Sequence, residues 1–163
     1  MSSIEDLLPI NKISKIIYAP KPVSISPEFR IIWRWSQICL VLKLVSWGES
    51  VSLKKIQFVL TYLDNEERAK LLLSVNLNNE SDIRKLRVNF NPYVLKAINL
   101  GIYSGFFRLE SSQSISFSEI STKFTKVLMK EKNLMKFEKK ILTEIGKRKF
   151  SEEKIKKILK SEI

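Results

Sequence analysis

The chain has 163 residues, 44% of them hydrophobic and 10% aromatic, a composition typical of a globular protein rather than of a disordered segment. It contains no histidine and one cysteine, which excludes Ser–His and Cys–His catalytic pairs and an internal disulfide. With 29 Lys and Arg against 17 Asp and Glu, the formal net charge is +12. This excess indicates either an acidic partner, nucleic acid or protein, or simply a solvated lysine-rich surface.

Residues that would mark an enzyme are sparse. The four glycines form neither GxxxxGK[ST] nor GxGxxG, so no phosphate-binding loop is predicted. The three aspartates, Asp6, Asp64 and Asp82, lie far apart in the sequence. A carboxylate site built from distant glutamates stays open, but no motif points to one. We therefore expect a protein without catalytic activity, metal or cofactor.

The sequence shows neither the pattern of a secretory signal peptide nor that of a membrane span. The first residues, MSSIEDLLPINK, are acidic where a secretory signal peptide carries positive charge. The longest apolar run, Ile31 to Trp47, is interrupted by Arg34 and Lys43, so no membrane span is predicted. Cys39 lies inside this run and is interpreted as a small core hydrophobe. We expect a cytoplasmic protein without a membrane partner.

Residues 1–26 are predicted to form an N-terminal arm and linker. Prolines at positions 9, 20 and 22 prevent one continuous helix through this segment. Such an arm can pack on its own domain or on a partner, and both alternatives stay open. Its apolar residues are Ile4, Leu7, Leu8, Ile13, Ile16 and Ile17.

The first core helix is predicted to start at 26–28, where Ser, Pro and Glu supply an N-cap, a first helical residue and an acid for the helix dipole. It is expected to run to Trp47 and to end at Gly48. The run ICLVL is apolar all round, which indicates a helix buried at the centre of the fold. Its first turns carry a polar stripe formed by Arg30, Arg34 and Gln37.

A second helix is predicted after Ser52, which can serve as its N-cap, with a short strand at Val51 before it. Residues 64–85 are predicted to hold a short helix at 66–75 and an Asn-rich loop. Alternation of Leu86, Val88 and Phe90 with polar residues predicts a strand. The second helix is recognised by the helical spacing of Leu53, Ile56, Val59, Leu60 and Leu63.

Asn91 and Pro92 predict the start of a third helix, as N-cap and first residue, and Gly105 ends it. Two alternating runs, 106–110 and 115–117, flank the polar turn SSQS and predict a β-hairpin. The buried face of the third helix is expected to contain Val94, Leu95, Ile98, Ile102 and Tyr103.

Helical spacing returns after Ser118 and continues to Ile145, where Gly146 and the KRK that follows break it. Ser151 then caps a last amphipathic helix. Residues 131–163 thus form a basic helical extension that can fold back on the core, pair with a partner helix or lie along DNA. The residues predicted to contact phosphates are Lys147, Arg148, Lys149, Lys154, Lys157 and Lys160.

The order helix, helix, helix, hairpin is that of a winged helix-turn-helix. The segment between the second and third helices makes this an enlarged version. We therefore predict a mainly α fold with a small β-hairpin. In this interpretation a winged-helix-like core at 27–130 is flanked by the arm, 1–26, and the extension, 131–163.

The outward side of the third helix favours a protein partner over a DNA groove. A helix that reads DNA presents basic and amide side chains, whereas here Lys96 is the one charge beside Asn99. Aromatic, charge-poor surfaces suit protein interfaces. The predicted partner-binding residues are Tyr93, Lys96, Asn99 and Tyr103. The alternative interpretation is a winged-helix DNA-binding transcription regulator.

The segment RVNFNPYVLKAINLGIYSGF, together with the VSL helix start at 51–53 and the hairpin, resembles the small middle component of bacterial ABC-three-component systems, the Lamassu type of anti-phage defence. The resemblance covers residues 27–130. It implies a non-catalytic winged-helix adaptor that binds an SMC-like ABC ATPase and helps to hold a nuclease-type effector, with a basic tail near DNA. The paired winged-helix subunits of condensins are related, although this chain has room for one such domain.

Overall fold

The computed structural model describes residues 30–48, 50–86, 90–110 and 113–160. The arm at 1–26, the helix start at 26–28, most of the strand predicted at 86–90 and part of the hairpin turn lie outside these residues. The elements are α1 (Ile31–Leu44), β1 (Ser50–Ser52), α2 (Leu53–Leu63), α3 (Glu66–Ser74), α4 (Glu80–Ile83), α5 (Pro92–Tyr103), β2 (Phe107–Leu109), β3 (Ser114–Phe117), α6 (Glu119–Lys130), α7 (Lys136–Lys149) and α8 (Glu152–Lys160).

The three strands form one antiparallel sheet in the order β1-β3-β2. In the predicted hairpin, Phe107 lies opposite Phe117, and β1 adds to its other edge with Val51 opposite Ile115. The structure confirms a mainly helical fold with a small β-hairpin and further helices after it.

Helix α1 lies at the centre of the fold and packs against α2, α5, α6 and α7. It ends at Leu44, one turn before the predicted end at Trp47, and Trp47 is exposed. The helix can end there because a carbonyl at its C-terminus has a hydrogen-bond donor outside the helix. Lys55 Nζ of α2 donates to the carbonyl of Val45 over 2.9 Å. Because this orphan acceptor is satisfied by another helix, the chain can leave α1 early and turn into β1.

Two of the three residues in the predicted polar stripe do not face solvent, since Arg34 and Gln37 are each only 2% exposed, whereas Arg30, the N-cap of α1, is exposed. Arg34 donates to the carboxylate of Asp64 over 2.6 Å and to Gln37 Oε1 over 2.9 Å, and Gln37 in turn hydrogen-bonds the carboxyl of Glu138. These four side chains form a polar chain from α2 through α1 to α7. Water does not reach the side of α1 that packs into the core, so the polar groups on that side must pair with one another.

The predicted starts of the second and third core helices are confirmed by their caps, whereas α1 begins at Ile31, after an extended Arg30, and not at 26–28. Ser52 accepts a hydrogen bond from the backbone of Lys55, and Asn91 accepts one from the backbone of Tyr93. The short helix predicted at 66–75 is α3, capped by Asn65. Sequence periodicity missed α4, because four residues are too few to show a helical period.

The basic extension folds back on the core: α7 packs on α1, and α8 packs on α2. Phe150, Ile155 and Ile158 are buried in the same apolar cluster as α1, and the Phe150 ring lies 5.3 Å from that of Phe58. Gly146 interrupts α7 with a φ of 61°, as its position predicts. No helix in the described part of the chain has the length and hydropathy that crossing a membrane requires.

Candidate partner-binding surface

The N-terminus of α5 is attached to α2 by one side chain. The buried amide of Gln57 accepts from the Asn91 backbone N–H over 3.2 Å and donates to the Asn91 carbonyl over 3.4 Å. Asn91 is also the N-cap of α5. The direction in which α5 leaves the core is therefore fixed by two bonds at its first residue.

The inner face of α5 is attached to α1 and the hairpin. Trp35 Nε1 donates to the carbonyl of Ala97 over 2.7 Å. At Gly101 the helix has no side chain, and an added Cβ would lie 2.4 Å from the Phe107 ring. Phe106 stacks on Trp35 with the ring centroids 4.5 Å apart. These contacts hold α5 rigidly, with its opposite side turned outward.

All four predicted partner-binding residues are exposed and share the outward side of α5. Tyr103 is 91% exposed, which corrects its assignment to the buried face; Leu95, assigned there too, is exposed at 46%. The small residues Ala97 and Gly101 take the inner positions instead, because α1 and the hairpin approach α5 too closely for larger side chains.

The outward side of α5 is more apolar than its sequence pattern indicated. Phe90, Leu95 and Leu100 are exposed as well, although none of them was predicted to bind a partner. Lys96 is the one charged residue in the helix. We call this surface the α5 face; it consists of Phe90, Tyr93, Leu95, Lys96, Asn99, Leu100 and Tyr103.

The wing beside α5 adds no net charge. Arg108 and Glu110 are both exposed, and Glu110 accepts a hydrogen bond from Ser116 over 2.6 Å. Gln113 at the turn is exposed and uncharged. An interface that contacts several phosphates needs several cations, and α5 and this wing supply few.

The cations predicted to contact phosphates are at the end of α7 and along α8, and two of them make contacts within the fold. Lys147 Nζ lies 5.7 Å from the centroid of the Trp47 ring. Lys149 Nζ donates to the carbonyl of Leu73, and burial lowers the pKa of Lys149. Both side chains thus help to attach the extension to the core.

Of the remaining predicted cations, Arg148 and Lys157 are exposed and Lys154 is half-buried. The side chain of Lys160 lies outside the described residues. Among the described side chains of this set Lys147, Arg148 and Lys157 are exposed, and phosphate binding by these three would depend chiefly on Arg148 and Lys157, since Lys147 lies over the Trp47 ring.

A second basic surface was not predicted. Lys43, Lys126 and Lys130 surround a cleft of about 290 Å³ between α1 and α6 that also contains Phe117 and Met129. The signal in the sequence was the spacing of Lys126 and Lys130, one turn apart on α6. Lys43 joins them only because α1 and α6 pack together, which the sequence does not show.

No cluster of three or more His, Cys, Asp or Glu that could hold a metal occurs among the described residues. Comparison with known proteins adds no assignment: no family model, curated protein or solved structure matches this chain.

Proposed function

We propose that this protein is a non-catalytic winged-helix adaptor that binds its partners through the α5 face. The observation that carries the proposal is the composition of that face, which combines two tyrosines, a phenylalanine and two leucines with a single charge. Tyrosine is enriched among the residues that dominate binding energy in protein interfaces. Burial of apolar surface contributes about 25 cal/mol per Å², so covering these side chains favours association.

The proposed partners follow from the resemblance of the sequence. The segment that carries it, RVNFNPYVLKAINLGIYSGF, includes the whole of α5 and the whole of the α5 face. We therefore propose an SMC-like ABC ATPase and a nuclease-type effector of an anti-phage defence complex as partners. In this proposal the protein acts in the cytoplasm and its basic extension lies near DNA.

A tagged pull-down from the native host tests the proposal, with nuclease treatment before the bound proteins are identified by mass spectrometry. We expect a large coiled-coil ATPase to be recovered. Tyr103→Asp should reduce that recovery at least about tenfold, because it places a charge at an exposed hot-spot position. Arg68→Asp, on the exposed side of α3, is the matched control and should leave recovery unchanged. Equal recovery with both variants would exclude the α5 face from the interface.

Recovery of the bait alone would favour the DNA-binding regulator instead. A DNA selection would then have to show a preferred site, with each mismatch costing about 1–3 kcal/mol. In either case, the dependence of DNA affinity on salt concentration shows whether the protein contacts phosphates. Replacing Arg148 or Lys157 with alanine should lower the slope of log affinity against log salt by about 0.9 for each phosphate that the variant no longer neutralises. Point substitutions are preferred to deletion of the extension, because Phe150 and Ile158 belong to the core.

A further inference from the structure

A second exposed apolar surface lies where α1 meets α6. Ile32 is 60% exposed, Ile120 58% and Val127 61%, although each belongs to a helix that packs into the core. Single exposed hydrophobic residues are common, but these three border a group of aromatic rings. We call this surface the α1–α6 face; it consists of Ile32, Trp35, Ile120, Phe124 and Val127, with the buried ring of Phe106 beneath it.

The rings make the surface continuous. Phe106 stacks on Trp35 of α1 at 4.5 Å and meets Phe124 of α6 edge-on at 5.5 Å. Trp35 and Phe124 are only partly buried. Ile32 is one turn from Trp35, and Ile120 and Val127 are one turn on either side of Phe124, so the aliphatic side chains flank the row of rings.

The chain itself contains a segment suited to this surface. The described structure begins at Arg30, directly before Ile31 and Ile32, so the residues that precede α1 join the fold beside the α1–α6 face. In that preceding segment, Ile10, Ile13 and Ile17 recur at intervals of three and four residues, with Lys12 and Lys15 between them. This spacing can present apolar residues on one side and charges on the other.

We propose that residues 4–17 of the same chain dock on the α1–α6 face. The residues from 18 to 30 can span about 40 Å when extended, at about 3.3 Å per residue. Helix α1, at 1.5 Å per residue, is only about 21 Å long, so the whole face is within reach. Tethering also gives the segment an effective concentration on the order of millimolar, which favours it over a free competitor. The inference is independent of the adaptor proposal.

Disulfide trapping in the full-length chain tests this docking. Ile13→Cys combined with Val127→Cys is expected to form an intramolecular disulfide under mild oxidation. The native Cys39 does not interfere, because it is fully buried and burial raises its pKa to about 12. Ile13→Cys with Arg68→Cys, on the exposed side of α3, is the matched control. A docked segment should cross-link to position 127 at least about tenfold faster than to position 68.

The outcomes are read by mass spectrometry and non-reducing electrophoresis. Equal rates for the two pairs would overturn the proposal, and so would a disulfide that forms only between molecules, which would make a second copy the occupant. A second measurement does not depend on thiol geometry. Hydrogen exchange of residues 119–130 should accelerate when Ile13 and Ile17 are both replaced by Asp, whereas replacing Lys12 and Lys15 by Asp should not change it. Unchanged exchange in both variants would also overturn the proposal.

Discussion

Gln57 and Asn91 exchange two hydrogen bonds, one in each direction, between the side-chain amide of one and the backbone of the other. The pair joins the middle of α2 to the N-cap of α5. It resembles one rung of a β-ladder, with a side chain in place of one strand. The orientation of the α5 face therefore depends on a buried glutamine that is not itself part of that face.

Gln57→Leu tests this relationship. The substitution keeps the approximate volume but removes both bonds and leaves the backbone groups of Asn91 without them. We expect a loss of about 1–3 kcal/mol in the free energy of unfolding, measured by urea denaturation. Asn99→Ala, at an exposed position of α5, is the control and should change stability by less than about 0.5 kcal/mol. An equal effect of both variants would show that the amide pair contributes nothing.

Gly101→Ala tests the close approach of α5 to the hairpin. Alanine favours a helix over glycine by about 1 kcal/mol. Its Cβ, however, would lie 2.4 Å from one Phe107 ring carbon and 2.9 Å from another. We expect the clash to dominate, with a net loss of about 1–3 kcal/mol seen in thermal or urea unfolding.

A double-mutant cycle identifies the cause of that loss. Phe107→Leu removes ring atoms from the site of the clash, so Gly101→Ala should cost less in the Phe107→Leu background than in the native chain. If the two effects simply add, the ring of Phe107 is not the source of the strain.

Asp64→Asn tests the ion pair at the end of the polar chain. The substitution removes the carboxylate to which the guanidinium of Arg34, itself 2% exposed, donates over 2.6 Å. Breaking a buried pair on one side costs about 3–5 kcal/mol, and the partial exposure of Asp64 places the expected loss near the lower value. The matched control is Glu66→Gln, which removes the solvent-exposed Glu66–Lys70 pair and should cost less than about 1 kcal/mol. Similar losses for both would contradict the burial argument.

Glu138 makes stability depend on pH. Burial is the main cause that raises the pKa of Glu138 above its ordinary value of 4.5, and hydrogen bonds from its own backbone and from Gln37 oppose it. The folded protein therefore holds this proton over a pH range in which the unfolded chain has lost it. The contribution of Glu138 to the free energy of unfolding falls as pH rises through that range.

Glu138→Gln should remove this dependence. We expect the variant to be more stable than the native protein at about pH 8 and nearly equal to it at about pH 4, since a neutral amide carries no desolvation cost of charge. Urea denaturation at the two pH values measures the difference. Glu144→Gln, at an exposed position of the same helix, should show no such change. A loss of stability at pH 8 would mean that the ionised Glu138 is needed by its neighbours.

The local structure was predictable where one residue type determines it. The caps at Ser52 and Asn91 and the interruption at Gly146 depend on side-chain oxygens and on the freedom of glycine, which act within a few residues. The burial of individual side chains was harder to predict from the sequence, since it depends on neighbours that are distant in the chain. Arg34 looked like part of a solvent stripe until α2 supplied Asp64, and Tyr103 had the spacing of a core residue yet points away from the core.

The candidate surfaces were likewise predictable where they depend on one helix and not predictable where they depend on packing between elements. Tyr93, Lys96 and Asn99 are exposed as predicted, because the start of a helix and its buried positions also determine its outer side. Tyr103 had been assigned to both sides of α5, and it is exposed. The leucines of the α5 face were missed, since periodicity alone does not separate an apolar residue that packs from one that is exposed. The lysines around the cleft were missed because two helices contribute them.

The burial of Phe150 against Phe58 has a consequence for how the chain is made. Helix α2 is synthesised early, but the ring that covers Phe58 and the α8 residues that follow it emerge from the ribosome much later. Until then, the part of α2 around Phe58 that this segment covers is open to chaperones or to wrong pairings, although α1, α3 and α5 already pack on other parts of α2. We therefore expect this part of the core to close only after Ile158 has emerged. Ribosome profiling with a chaperone bound should show occupancy that persists until residues 150–158 have left the exit tunnel.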